Sequence, residues 1–271
     1  MRPLVLTLRR RPDQRLDLSP LVPHRLAGKT MAEIERIALQ TTRHRVDVAE
    51  IFRLRMGDVE HIRIEGGSDR LDRVGHVMSG GELVVDGDVG VQAGRLMSGG
   101  RLTVRGDAGP WAGSGMTSGA IEILGAAGDR LGGPLAGEVA GMRGGVVVVR
   151  GRAGDRVGDR MRRGTIIIEG EAGAYAGCRM IAGTLIVGKQ TGPLPGFLMK
   201  RGTVVLGEGS TALSPTFVDC GQHELLAMRL WAGLVEPYSR RAAALLRRPL
   251  WRLAGDMAVL GKGEMLVRNQ N

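Results

Sequence analysis

Aromatic residues are scarce: Phe, Trp and Tyr together make up 3% of the 271 residues. So few rings supply no stacking platform for single-stranded nucleic acid. Lysine is nearly missing too, since only Lys29, Lys189, Lys200 and Lys262 stand among 38 cationic side chains. The formal charge of +10 therefore rests on arginine, whose planar fork suits bidentate contact with carboxylates or phosphates. This charge reads either as a docking surface for an acidic partner or as a nucleic-acid face. No recognition motif accompanies it, so nucleic acid is not expected as a partner. Two cysteines, Cys178 and Cys220, make no disulfide framework and fit a reducing cytoplasm. Uncharged runs are short. Ala108 to Ile121 is Gly-rich and falls well below the ~20 residues of a membrane span, and Leu4 to Leu8 is too brief for a secretory signal. No membrane association is expected. With 11 prolines and no three-residue glycine period, collagen is excluded as well.

What the chain has in abundance is glycine, 44 residues of it, arranged in an internal repeat. Met78, Met97, Met116, Met142, Met161, Met180 and Met199 follow one another at steps of 19, 19, 26, 19, 19 and 19 residues. The long step holds an insertion near Gly132 to Gly141. A degenerate earlier unit, with Ile62 and Ile64, lacks the methionine. Aliphatic residues stand five and seven places after each methionine, for example Leu83 and Val85, Ile166 and Ile168, or Val204 and Leu206. That spacing is a short β-strand. Glycines recur further on, as at Gly106, Gly109 and Gly113, and the place before the second of these is mostly alanine (Ala108, Ala127, Ala153, Ala172).

One strand and several glycine corners cannot bury a face alone. Stacked units can, if each strand pairs in parallel with its copy about 4.8 Å away. The repeat therefore predicts a mainly β fold, a right-handed parallel β-helix of about eight rungs with a 19-residue repeat. Stacking would set Asp86 against Arg105, Arg150 against Glu169 and Arg152 against Glu171, each pair opposite in sign. The flanks predict covers for the two open ends. Residues 1–56 read as a small α/β cap, with a strand at Leu4 to Leu8 and a helix near Met31 to Leu39. Residues 57–209 carry the repeats. Residues 210–271 read as a helical extension, with helices near Gln222 to Leu234 and Ser239 to Arg247.

Little in the sequence points to chemistry. Gly113-Ser114-Gly115 and Gly261-Lys262-Gly263 do not complete a phosphate loop. His24, His44, His61, His76, His223 and the two cysteines have no ligand spacing, so no metal site is expected. The methionine column reads as flexible packing rather than a copper(I) site. No nucleophile motif occurs, and no catalytic residue is assigned. One surface feature remains. Stacking would gather Arg143, Arg160, Arg162, Arg163, Arg179, Lys200 and Arg201 into a cationic stripe. It reads either as a solvated edge that resists aggregation or as a docking stripe for an acidic partner or a polycarboxylate ligand.

The repeat Met-x-x-Gly-x-Ile-x-Val-x-Gly-x-Ala-Gly-x-x-x-Gly resembles the C-subunit family of formylmethanofuran dehydrogenases. It is also similar to the β-helical C-terminal domain of the glutamate synthase large subunit. The extended unit Gly132 to Met142 and the lead-in Ile51-Phe52-Arg53-Leu54 favour the dehydrogenase C-subunit family, over roughly residues 45 to 230. Asp219-Cys220-Gly221-Gln222-His223 and Gly255-Asp256-Met257 look most like the bacterial branch, the formyltransferase/hydrolase complexes of methylotrophs. The resemblance implies a non-catalytic structural subunit. Its complex would transfer a formyl group from formyl-tetrahydromethanopterin to a methanofuran-type cofactor and release formate. The implied partners are an amidohydrolase-like chain and a formyltransferase chain, which carry the active sites; no cofactor is assigned to this chain itself. Two alternatives are a spacer of a glutamate-synthase-like amidotransferase, which the lack of any fused catalytic domain disfavours, and a free polyanion-binding solenoid.

Overall fold

A computed structural model describes residues 2–41, 44–223 and 226–268. In chain order the elements begin with β1 (Pro3–Leu8), β2 (Leu16–Asp17), α1 (Pro23–Leu26), α2 (Met31–Glu35), β3 (Ala38–Thr41), β4 (Val46–Asp47), α3 (Val48–Ile51) and β5 (Phe52–Arg55). The repeats follow as β6 (Asp58–Glu65), β7 (Leu71–Asp72), β8 (Ser79–Asp86), β9 (Gly99–Val104), β10 (Ala120–Ile123), β11 (Arg143–Val149), β12 (Arg163–Ile168), β13 (Thr184–Val187) and β14 (Arg201–Leu206). The tail contributes β15 (Val218–His223), α4 (Leu226–Val235), α5 (Arg240–Leu246), β16 (Leu250–Gly255) and β17 (Lys262–Arg268).

Thirteen strands form one sheet in the order β15-β16-β17-β14-β13-β12-β11-β10-β9-β8-β6-β1-β5. From β17 to β1 every pairing is parallel, and antiparallel strands finish both ends. The register is that of the repeat: Ile121 lies opposite Leu102 and Val147, and Ile166 opposite Val147 and Leu185. Across the 26-residue step the strands still pair in register, so the extra residues bulge outside the ladder. A second parallel ladder runs through the small-residue column, from Val89 through Ala108, Ala127, Ala153, Ala172 and Thr191 to Ser210. The fold is mainly β, built on one large parallel-rich sheet.

All seven repeat methionines are fully buried, alongside the inward aliphatic pairs. The glycine three places after each methionine is required on two counts. Gly164 holds φ +95°, where an L-residue is strained, and a Cβ there would lie 2.9 Å from the ε-methyl of Met142 and 2.7 Å from the Gly145 carbonyl oxygen. The methionine of one unit thus fills the space that glycine leaves in the next. Other glycines are needed for closeness alone: a Cβ on Gly154 would sit 2.1 Å from the Asp129 carboxylate. That carboxylate belongs to an aspartate series that the spacing of methionines and glycines does not reveal. Asp88, Asp107, Asp129 and Asp155 each accept a backbone N–H from the following unit, at 2.7–2.9 Å. Each satisfies a donor that the tight corner would leave unpaired.

Of the expected charge pairs, Arg105 reaches Asp86 at 3.1 Å and Arg150 reaches Glu169 at 2.6 Å. Among the described residues no ion pair joins Arg152 to Glu171, both of which are exposed. Two expectations for the flanks need correction. The helix expected over Met31 to Leu39 stops at Glu35 after a Thr30–Glu33 capping box, and Ala38–Thr41 becomes β3. Leu39 is buried opposite Val46, so tertiary pairing overrides the helical period.

The tail is also not simply helical. The helix α5 forms inside its expected range. Of the range Gln222 to Leu234, the first two residues belong to β15, residues 224–225 lie outside the described residues, and α4 runs from Leu226 to Val235. Strands β15, β16 and β17 accompany the helices, and β17 pairs in parallel with β14. Lys262-Gly263-Glu264-Met265-Leu266-Val267 repeats the pattern of Arg201-Gly202-Thr203-Val204-Val205-Leu206, which makes it a repeat strand without the methionine. It satisfies the backbone groups that the last unit would leave open.

The helices of the tail lie on the outer face of the sheet. There the outward residue of each strand changes from Val84, Thr103 and Glu122 to buried Val148, Ile167, Ile186 and Val205, then to Leu266. Met228, Ala232 and Val235 of α4, with Ala242, Ala243, Leu245 and Leu246 of α5, pack over them as a second core. Ser239, the N-cap of α5, donates to Glu169 at 2.6 Å and so ties that helix to the Arg150 pair.

Candidate functional site

The cationic candidates separate into two groups. Arg143, Arg163 and Arg201 open β11, β12 and β14, and Arg162 and Lys200 directly precede two of these strands. Arg143 lies opposite Arg163, and Arg201 lies opposite Lys262 of β17. All six side chains are exposed, and among the described residues none of them makes an ion pair or a side-chain hydrogen bond. Arg143 lies within electrostatic reach of the Glu138 carboxylate. Cations set side by side repel one another, so the ladder holds the rest against a cost that an anion would relieve. The stripe is discontinuous. At the level of β13, Ile181 and Ala182 take the place of the basic residues, leaving one cluster at Arg143, Arg162 and Arg163 and another at Lys200, Arg201 and Lys262. Lys262 is hidden in the sequence because its strand lies outside the methionine series.

Arg160 and Arg179 do something else. Both have left-handed backbones just before a buried methionine, at φ 50° and 52°. Arg179 makes a two-pronged contact with Asp159: its Nε donates at 2.9 Å to one carboxylate oxygen and Nη2 to the other. The Asp159 side chain is fully buried, whereas that of Arg179 keeps 35% of its surface. Burial, with the Asp159 charge second, pushes the neighbouring Cys178 thiol up to about 12. Arg160 donates to the Glu138 carbonyl at 3.1 Å.

Glu138 belongs to the insertion in the long repeat, and it is clamped from two directions. Arg95 Nη2 donates to its carboxylate at 2.7 Å, and the Leu135 backbone N–H donates at 2.9 Å. The hydrogen bond from Arg95 is the main reason the Glu138 carboxyl is held below the usual range. Arg95 also donates to Ser114 at 3.2 Å. An insertion that sequence alone marked only as irregular is therefore fastened across several units, with Val139 outermost at 75% exposure.

Other candidates are dispersed. Gly113-Ser114-Gly115 lies within a repeat corner with Ser114 buried, and Gly261-Lys262-Gly263 starts β17. Among the described residues no group of three or more His, Cys, Asp or Glu side chains could hold a metal ion. Among them, too, no helix is long and apolar enough to cross a membrane. A shallow groove of about 510 Å³ runs along the bare glycine column, lined by Gly81, Gly100, Arg101, Gly119, Gly145 and Tyr238 among others. What this surface offers is shape, backbone and positive charge.

Comparison with known proteins fits that description. Over 263 residues, 96% of this chain and 98% of the relative, the sequence is 54% identical to the Fhc C-subunit of the formyltransferase/hydrolase complex of Methylorubrum extorquens strain AM1. The chain belongs to the C-subunit family of formyltransferase/hydrolase complexes. A solved relative superimposes with a TM-score of 0.94 at 43% identity, over 98% of this chain and 100% of that one. It comes from the crystal structure of the formyltransferase/hydrolase complex (FhcABCD) of Methylorubrum extorquens with methylofuran. No protein-family model matches the chain. Membership of this family agrees with the resemblance carried by the methionine–glycine repeat and sets aside the glutamate-synthase alternative.

Proposed function

We propose that this chain is a non-catalytic structural subunit of a formyltransferase/hydrolase complex in one-carbon metabolism, working in the cytoplasm. The complex moves a formyl group from formyl-tetrahydromethanopterin to a methanofuran-type cofactor and releases formate. The amidohydrolase-like and formyltransferase chains supply the active sites. The observation that carries this reading is the near full-length match to the Fhc C-subunit.

The finer architecture in this reading is a right-handed parallel β-helix over 57–209, flanked by a cap at 1–56 and an extension at 210–271. Two parallel ladders that advance by one repeat per step support it. A rod of this kind suits a scaffold, because each unit is held by its neighbours and the surface stays rigid. Arg143, Arg162, Arg163, Lys200 and Arg201 serve as the docking stripe for an acidic partner or for the polycarboxylate part of the cofactor. Their exposed side chains, which among the described residues make no ion pair or side-chain hydrogen bond, support that role. Arg160 and Arg179 support the scaffold from within.

Native mass spectrometry of the protein purified from its own host tests the assignment. Co-purification with the other subunits and no hydrolase activity in the isolated chain are expected. A chain that runs alone, or that hydrolyses formyl donors by itself, would overturn it. For the stripe, Arg162→Ala, Arg163→Ala and Arg201→Ala together should lower cofactor retention in the assembled complex. Unchanged retention would remove the cofactor role.

A further inference from the structure

Helix α4 is apolar on two sides. Met228, Ala232 and Val235 face the sheet and are buried, whereas Leu226, Leu230 and Leu234 form a row one turn apart on another face. These leucines remain 73%, 66% and 71% exposed. Ala227 and Gly233, small and also exposed, flank them and allow close approach. A helix that is hydrophobic all round belongs in an interior, and a continuous leucine row marks a contact site rather than scattered surface apolarity. Among the described residues, nothing in the chain covers it.

The charge around the row chooses the occupant. After the row, between Leu234 and Arg248, stand Arg240, Arg241, Arg247 and Arg248 against the single acidic residue Glu236. Glu236 is itself paired with Arg247 at 2.6 Å. A second copy of this chain would bring the same basic rim against itself, at a net charge of +10 per chain. A different chain with an apolar groove and an acidic rim meets both demands.

We infer that the Leu226–Leu230–Leu234 face of α4 is a helix-in-groove docking surface for another subunit of the complex, one that presents an apolar groove with an acidic rim. This inference rests on the proposed function, because it takes the partner from the same assembly. It assigns the tail a role separate from the stripe: the inner face of α4 covers the sheet, and the outer face holds the neighbour. Leu230 lies at the centre of the row, where truncation of an interface residue has its largest effect.

The experiment uses the complex co-expressed from its host subunits, with wild-type chain, Leu230→Ala, or Leu230→Lys combined with Leu234→Lys. Thermal unfolding of each isolated chain checks that these exposed positions leave the fold intact. Native mass spectrometry and titration of the chain into the remaining subunits read assembly. We expect wild type to assemble, Leu230→Ala to bind roughly tenfold more weakly, and the double lysine variant to be lost from the complex. Raised salt should weaken wild-type binding, as an acidic rim requires. Wild-type assembly together with unchanged binding of the folded variants would overturn the docking face and leave the subunit assignment intact. If wild type formed no assembly at all, both would fail. Leucine-dependent dimers of the isolated chain would name a second copy as the occupant and refute the inference.

Discussion

Substituting alanine at Gly164 tests the interlock that joins one repeat to the next. The added methyl would enter at φ +95°, 2.7 Å from the Gly145 carbonyl oxygen and 2.9 Å from the Met142 ε-methyl. Met142 can turn a rotamer, but the carbonyl belongs to a paired backbone and cannot withdraw without disturbing the ladder. A left-handed L-residue costs about 1–2 kcal/mol, and overpacking a filled core adds about 1–3 kcal/mol. The sum, about 2–5 kcal/mol, would lower the melting temperature by on the order of 10 °C in a chain of this size. Gly80 is the internal control, since a Cβ there meets nothing within 4 Å and its φ is not positive. Gly80→Ala should change stability by less than about 0.5 kcal/mol, as an unstrained surface site does. Scanning calorimetry of the two variants beside wild type decides the matter. Melting temperatures for Gly164→Ala and Gly80→Ala within about 2 °C of each other would refute the claim that neighbouring units lock through the methionine–glycine column.

The Asp159–Arg179 pair should respond asymmetrically. Arg179→Ala strands a fully buried carboxylate and should cost about 3–5 kcal/mol, whereas Asp159→Ala lets a partly exposed guanidinium turn to water and should cost clearly less. Urea unfolding with the reverse order would show that burial does not govern this pair. Because the Glu138 carboxyl is held below its ordinary range, its clamp contributes fully above the ordinary glutamate pKa and is lost as pH falls through the lowered value. Hydrogen exchange over residues 133–140, corrected for intrinsic rate, should therefore quicken in acid, and Arg95→Ala should produce the same loosening at about pH 7. Equal protection in all three conditions would dismiss the clamp. With its thiol pushed up to about 12, Cys178 should stay unreactive toward a thiol reagent at about pH 8 in the folded protein. Both thiols should titrate after denaturation; fast native labelling of Cys178 would contradict its burial.

Repetition made the fold legible. Residues that recur every 19 places can stack only in register, so Val147, Ile166 and Leu185 had to become neighbours once parallel pairing was assumed. The same periodicity located Asp86 beside Arg105 and Arg150 beside Glu169. The β17 strand escaped because it lies far along the chain and lacks the methionine, although Lys262-Gly263 carries the same strand-opening pattern as Arg201-Gly202. The helix α2 is shorter than its sequence pattern for another reason: Leu39 has a helical period but a strand partner, and only the fold says which contact prevails.

The candidate site divides along the same line. Sequence by itself established a repeat and a basic excess, because those depend on composition and spacing. Tertiary structure decided which arginines are free. Arg162 and Arg163 are exposed to solvent, while Arg179 turns to a buried Asp159 that neighbours it only after one unit is laid on the next. It also decided the fate of α4, whose leucines and methionine look alike in a string of letters. Met228 packs into one cluster with Ile186 and its neighbours, and Leu230 faces outward, since a helix can press only one side against a flat sheet.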